Sequence, residues 1–255
     1  MTWLHSLIIG IIQGLTEFLP ISSSAHMEIA EKFFHLPSIA PKFKIICHLG
    51  TTLAIIIIFK KEIIKALKSP KYYYYFTIAL LPLIPFYLLF QLVKMHINTS
   101  FILGACLIVS SFFLFYIKFS NQKIYKEGII IKTLDVLFIG IMQAFALLPG
   151  ISRSGATISA AYLRGWKMKE AVNFSFLLAI PTILGGMFLE LYKELYITLS
   201  SDPIPYYYYL TGFISAFIIG IFTIKYFLLI LTKKKIFFIG IYCLFIGMFL
   251  MLIQG

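Results

Sequence analysis

The sequence predicts an all-α polytopic membrane protein with an inverted-topology repeat, each half holding one re-entrant helical hairpin plus three transmembrane helices. Three observations predict it. Charge is too scarce for a water-facing surface, long apolar runs recur along the chain, and a polar motif interrupting one short apolar run returns half a chain later.

Of the 255 residues, 60% are hydrophobic and only 13% charged, against roughly 25% charged in soluble domains. Runs such as Leu49–Phe59, Tyr72–Val93 and Phe101–Ile117 are almost free of charge, and about 20 apolar residues carry a helix across the bilayer core. The net charge of +12 invites a nucleic-acid reading. Its distribution excludes that, because the lysines sit in short clusters between apolar runs, where the positive-inside rule puts them. Cys47, Cys106 and Cys243 stand singly in apolar segments; they make neither a metal spacing nor a disulfide framework and read as packing residues. The apolar N-terminus lacks a basic n-region and a small-residue cleavage site, so a removable signal peptide is not expected.

The first interrupted run is IGIIQGLTEFLPISSSAH, residues 9–26. Shifted by 130 residues it falls on IGIMQAFALLPGISRSGA, residues 139–156, with Ile9, Gly10, Ile11, Gln13, Ile21, Ser22 and Ser24 meeting identical residues. Agreement in Gln and two Ser beside a Pro break makes duplication the better reading. Each copy is an apolar helix, a Pro (Pro20; Pro149 with Gly150), a Ser-rich turn and a short amphipathic helix. A Pro break frees backbone groups that lipid cannot satisfy, so these segments read as re-entrant hairpins. Full spans are predicted near 42–60, 72–93, 100–118, 170–192, 206–231 and 236–254. The chain is then one membrane domain, 1–255, with repeat halves 1–126 and 127–255. Three spans per half is an odd number, so the second half is expected upside down. On that topology most basic residues gather on one side, including those at 60–71, 118–132, 164–169 and 233–235. That side is expected to be cytoplasmic, with both termini outside. Tyr72–Tyr75 and Tyr206–Tyr209 begin spans, as an interfacial aromatic belt does.

Charges inside membrane segments default to a functional hypothesis. Glu17 stands just before the first break and Arg153 just after the second; if the hairpins enter from opposite faces, their tips bring the two together. A buried pair that merely pins the halves is the alternative, and the surrounding hydroxyls (Ser22, Ser23, Ser24, Ser152, Ser154, Thr157) tell against it, because an oxyanion needs many donors. After each break a helix begins with Ser as the expected N-cap, its N–H groups forming an anion site. Gly150 and Gly155 allow close approach, and Arg153 can hold two phosphate oxygens. Ser23 and His26 are one helical turn apart and can share a face, and Glu17 is near enough in sequence to orient the His26 ring, which is base–orienter logic for a nucleophile. His48 either lines the cavity or bonds a neighbouring helix. Asp135 is expected to cap a helix, and Glu28 and Glu31 to face water. His5, His35 and His96 lie near segment ends and carry no signal.

With QGLTE (Gln13 to Glu17) running into FLPISSSAH, and PGISRSGAT (Pro149 to Thr157), the sequence resembles the undecaprenyl-diphosphate phosphatase family, also called the bacitracin-resistance protein family. The two motifs match its Glu/Gln-x-x-x-Glu and Pro-Gly-x-Ser-Arg-Ser-x-x-Thr patterns, and the likeness extends over nearly the whole chain. The resemblance implies a bacterial inner-membrane enzyme that releases phosphate from undecaprenyl diphosphate, returning the lipid carrier of cell-wall synthesis and conferring bacitracin resistance. It implies catalytic roles for Glu17, Ser23, His26 and Arg153, with support from Gln13, Ser152, Ser154 and Thr157, and a divalent cation, commonly Mg2+; Ser22 and Gly150, from the reading of the residues above, complete the expected substrate-binding set. Gln13 stands where many members carry Glu, which removes a negative ligand and leaves such a cation held mainly by the substrate's diphosphate with Glu17. The expected partners are an isoprenoid diphosphate lipid and membrane lipids, with a homodimer left open and no nucleic acid. A lipid flippase or transporter on the same repeat is the rival reading, since inverted repeats with broken helices are a transporter plan.

Overall fold

A computed structural model of the chain describes residues 2–34, 39–97, 100–120, 132–196 and 205–252. The boundary drawn between residues 126 and 127 lies outside them, as does His35. Every regular element among the described residues is a helix. Helix α1 (Trp3–Thr16) starts at a capping box in which Thr2 accepts from the His5 N–H and His5 accepts in return. It stops short of a full span, and α2 (Ser23–Phe33) follows the Pro20 break. The same short–break–short form returns as α8 (Thr133–Phe145) and α9 (Arg153–Leu163).

Six segments are long and apolar enough to cross a membrane: Pro41–Ile58, Pro70–Gln91, Ser100–Phe119, Met168–Lys193, Tyr206–Leu229 and Lys233–Leu252. They coincide with the six predicted spans. The second is not one helix, however. Pro82 has no N–H to give, and the span divides into α5 (Pro70–Leu80) and α6 (Leu83–Ile97). A surface helix α4 (Lys60–Leu67), with Lys60, Lys61 and Lys65 exposed and Ala66 buried, joins α5 to α3 (Pro41–Ile58). The remaining spans are α7 (Ser100–Phe119), α10 (Met168–Tyr196), α11 (Tyr206–Leu229) and α12 (Lys233–Leu252).

Helix α1 packs on α11, and α8 packs on α5. Both crossings depend on a glycine at the same repeat position. A Cβ on Gly10 would lie 2.6 Å from the Gly212 carbonyl oxygen, and one on Gly140 would lie 2.5 Å from that of Ala79. Close backbone approach through small residues is how helices associate where lipid supplies no hydrophobic drive. The tip of the first hairpin is fastened by Phe18, 1% exposed, whose ring lies 5.6 Å from that of Phe176 on α10. The three cysteines are buried and free.

Candidate active site

Glu17 ends α1, its N–H bonding the Gln13 carbonyl. One turn earlier on the same face, the Gln13 amide donates to Glu17 Oε2 at 2.9 Å. The backbone then turns through Ser22, whose φ of 68° makes it the lone non-glycine with positive φ among the described residues. Such a conformation costs about 1–3 kcal/mol and persists only when its surroundings enforce it. Its effect here is to bring the next residue back over the carboxylate, and Ser23 Oγ donates to Glu17 Oε2 at 2.8 Å. The other oxygen, Oε1, accepts from Arg153 Nη2 at 2.6 Å. The expected meeting of Glu17 and Arg153 across 136 residues is therefore present, with side chains only 5% and 16% exposed.

The second break turns at Gly150, φ 97°. Ser152 caps α9 by accepting from the Gly155 N–H at 3.1 Å, as the sequence predicts. Ser22 makes no such cap; its hydroxyl lies 3.1 Å from that of Ser24 instead. Ser152 and Ser154 repeat that hydroxyl pair at 3.2 Å. The two tips also exchange bonds. The Gly150 N–H points to Ser24 Oγ at 3.4 Å, and Ser154 Oγ donates to the Leu19 carbonyl at 3.3 Å.

Between the tips lies a cavity of about 250 Å3. Glu17, Ser22, Ser23, Ser152 and Arg153 line it, and so does His48 of α3. Its outer wall is α10, at Ile183, Gly186, Met187 and Glu190. A Cβ added at Gly186 would meet nothing within 4 Å, so that wall is open. Gly150, Ser154 and Thr157 do not line the cavity but fix its frame. The Thr157 hydroxyl bonds the Arg153 carbonyl at 2.9 Å and the Ser175 hydroxyl of α10 at 2.6 Å.

Three expectations are corrected. His26 does not face Ser23 or Glu17. Its Nδ1–H donates to the Ser22 carbonyl at 2.9 Å, which leaves Nε2 to accept from the Tyr242 hydroxyl of α12 at 2.7 Å, with the rings stacked. The positive φ at Ser22 rotates α2 so that Ser23, not His26, meets the carboxylate. Asp135 is no cap. It is 1% exposed and pairs with Arg164 Nε at 2.6 Å across the base of the second hairpin. Glu31 does not face water but binds Lys44 at 2.8 Å and the Ile39 N–H at 3.1 Å, tying α2 to α3; Glu28, partly exposed, pairs with Lys32.

Two further residues at the site carry only faint signals in the sequence. Ser110 of α7, fully buried, accepts from the Ser152 N–H at 2.9 Å, and its one hydroxyl hydrogen lies between the Cys106 carbonyl at 3.1 Å and the Gly150 carbonyl at 3.2 Å, so it sits against both ends of the second break. Its signal is a Ser pair in the middle of an apolar span. Glu190 is the second carboxylate on the cavity wall, and its signal is a charge within the apolar end of α10.

These residues do not form a metal cage. Among the described residues no three His, Cys, Asp or Glu side chains converge as ligands. Both Glu17 oxygens are taken by Arg153, Ser23 and Gln13, and Gln13 turns its nitrogen rather than its oxygen toward them.

Spans of this kind around paired broken hairpins, with a buried carboxylate–guanidinium–hydroxyl cluster between their tips, define a polytopic α-helical membrane protein. Residues 6–249 match the family model for "Bacitracin resistance protein BacA", and the chain belongs to that family. An undecaprenyl-diphosphatase of Protochlamydia amoebophila is 41% identical over 97% of this chain and 96% of its own length. One of Carboxydothermus hydrogenoformans is 35% identical over 100% and 98%, and one of Buchnera aphidicola 37% identical over 93% and 92%.

Proposed function

We propose that this protein is a membrane phosphatase that hydrolyses undecaprenyl diphosphate to undecaprenyl phosphate and inorganic phosphate. The observation that carries the mechanism is the Glu17 carboxylate held between Arg153 and the Ser23 hydroxyl. A hydroxyl donating to a buried carboxylate is a nucleophile beside its base. Ser23 Oγ attacks the terminal phosphorus while its proton passes to Glu17. The bond from that phosphorus to the bridging oxygen breaks, and undecaprenyl phosphate leaves as an anion that needs no proton. Water then attacks the phosphoserine, the bond from phosphorus to Ser23 Oγ breaks as Glu17 returns its proton to that oxygen, and inorganic phosphate leaves with the water's oxygen. Arg153 and the N–H groups opening α2 and α9 balance the phosphoryl charge, the largest contribution in such transfers. His26 acts as a positioning residue, its Nδ1–H pinning the Ser22 carbonyl and with it the turn that presents Ser23. The isoprenoid tail leaves through the open wall at Gly186 into lipid.

The matched hydroxyl pairs and the exchanged bonds between the tips support an inverted repeat. The side of the membrane follows from the lysine distribution, with both termini outside the bacterial inner membrane. Any Mg2+ used rides on the substrate's diphosphate.

The test is phosphate release from a long-chain isoprenyl diphosphate by purified protein in detergent. Wild type releases phosphate; Ser23→Ala releases none above background while keeping its melting temperature. Release by Ser23→Ala near the wild-type rate would remove Ser23 as nucleophile, and no release by folded wild type would remove the phosphatase reading.

A further inference from the structure

The Gln13 amide fixes a second histidine that the mechanism above does not use. Its Nε2 lies 2.9 Å from Glu17 Oε2 and 2.8 Å from His48 Nδ1. The carboxylate oxygen can only accept from Gln13, so the amide must turn its NH2 and not its oxygen toward it. One of the two amide hydrogens goes to Glu17, and the other points at His48 Nδ1. That nitrogen must therefore carry a lone pair, and the ring hydrogen sits on Nε2. The arrangement leaves Gln13 Oε1 buried with no partner among the described residues. Leaving such a group unpaired costs about 1–3 kcal/mol, and the amide keeps its orientation because the reverse one would set its oxygen against Glu17.

The His48 side chain is 30% exposed, and it lines the cavity beside Glu17, Ser23 and Arg153. On α3 its carbonyl accepts from both the Thr51 and Thr52 hydroxyls, and α3 is held between α11 and α10. The ring is thus carried by a packed helix and its tautomer is set by Gln13.

We propose that His48 is a substrate-binding residue that donates its Nε2–H to a phosphate oxygen in the cavity, and that Gln13 acts through it by holding the tautomer. The proposal rests on the phosphoryl-binding reading of the site and adds a donor on the Glu17 side. There the anionic carboxylate would otherwise repel the incoming oxygens, because Arg153 is already turned to Glu17 Oε1. It also assigns Gln13 a task that a carboxylate at that position could not perform, since a carboxylate has no hydrogen to give to Nδ1.

Two substitutions separate the ring nitrogens. In His48→Asn the amide oxygen stands near the Nδ1 position and keeps the Gln13 bond, but nothing reaches as far as Nε2. In His48→Gln the longer side chain places an N–H near the Nε2 position. The probe is methylenediphosphonate, which the protein cannot hydrolyse, with binding measured by calorimetry in detergent. His48→Asn is expected to bind about tenfold or more weakly, the range for one hydrogen bond to a charged partner, and His48→Gln to stay within about threefold of wild type. Nitrogen-15 NMR of histidine-labelled wild-type protein, with the His48 signal identified by its loss in His48→Asn, should show the Nε2–H tautomer and a shift of that nitrogen on adding the probe. Wild-type affinity in His48→Asn, or an Nδ1–H tautomer, overturns the proposal. Because binding is read without turnover, wild type that binds the probe but releases no phosphate would remove the phosphatase reading while leaving this one standing.

Discussion

Replacing both members of the Glu17–Arg153 pair by methionine separates a structural pair from a catalytic one. The two side chains are 5% and 16% exposed and 2.6 Å apart. Arg153→Met alone leaves a buried carboxylate without its cation, a change that costs about 3–5 kcal/mol. At about 2–4 °C per kcal/mol for a chain of this length, melting in detergent should fall by roughly 6–20 °C. Exchanging a buried pair for apolar side chains of similar volume is often neutral or stabilising. The double variant Glu17→Met with Arg153→Met should therefore melt close to wild type, less the bonds that Ser23 and Gln13 lose at Glu17. Activity should not follow stability. Removing one preorganised donor from a phosphoryl site costs about 100- to 1000-fold in rate, and the double variant also lacks the base. The assay pairs thermal unfolding with phosphate release from the isoprenyl diphosphate. A double variant that melts like wild type and releases phosphate at a comparable rate would make the pair a pin between the halves and refute the site.

Two further outcomes test the surroundings. Arg164→Ala strips the partner from Asp135, 1% exposed at the base of the second hairpin. It should lower stability by about 3 kcal/mol but, measured where the protein is still folded, leave the turnover rate per folded molecule near wild type; a loss of turnover matching Arg153→Met would place this second pair in the chemistry. Since the described side chains offer no metal cage, Mg2+ alone should give no binding heat with the purified protein and should bind once methylenediphosphonate is present. Saturable Mg2+ binding without the diphosphonate would show a protein-held site.

Much of the fold was legible in the chain because its signals are local. Span length and apolarity determined the six crossing segments, and Pro20 and Pro149 with Gly150 marked the two breaks, since a missing N–H beside a polar, Ser-rich turn favours ending a helix, whereas Pro181 stays inside α10. The likeness between residues 9–26 and 139–156 placed Glu17 and Arg153 at corresponding tips, and a charge in an apolar run requires a partner. Pro82 carries the same local signal as the other breaks, but it sits inside a run long enough to span, for which length and apolarity predict a single helix.

What the sequence did not determine is which way side chains face once the tips meet. Ser23 and His26 are three residues apart and can share a helix face, so spacing alone favours pairing them. The left-handed φ at Ser22 turned α2 until Ser23 met Glu17 and His26 met Tyr242, 216 residues away. His48 bonds Gln13 across 35 residues, Ser110 bonds the Ser152 N–H across 42, and Asp135 found Arg164 rather than its own helix terminus. Neighbouring residues name the partner in none of these pairs. Each follows from helices packed so closely that a buried polar atom must bond whatever the adjoining helix presents, and that choice belongs to the tertiary structure.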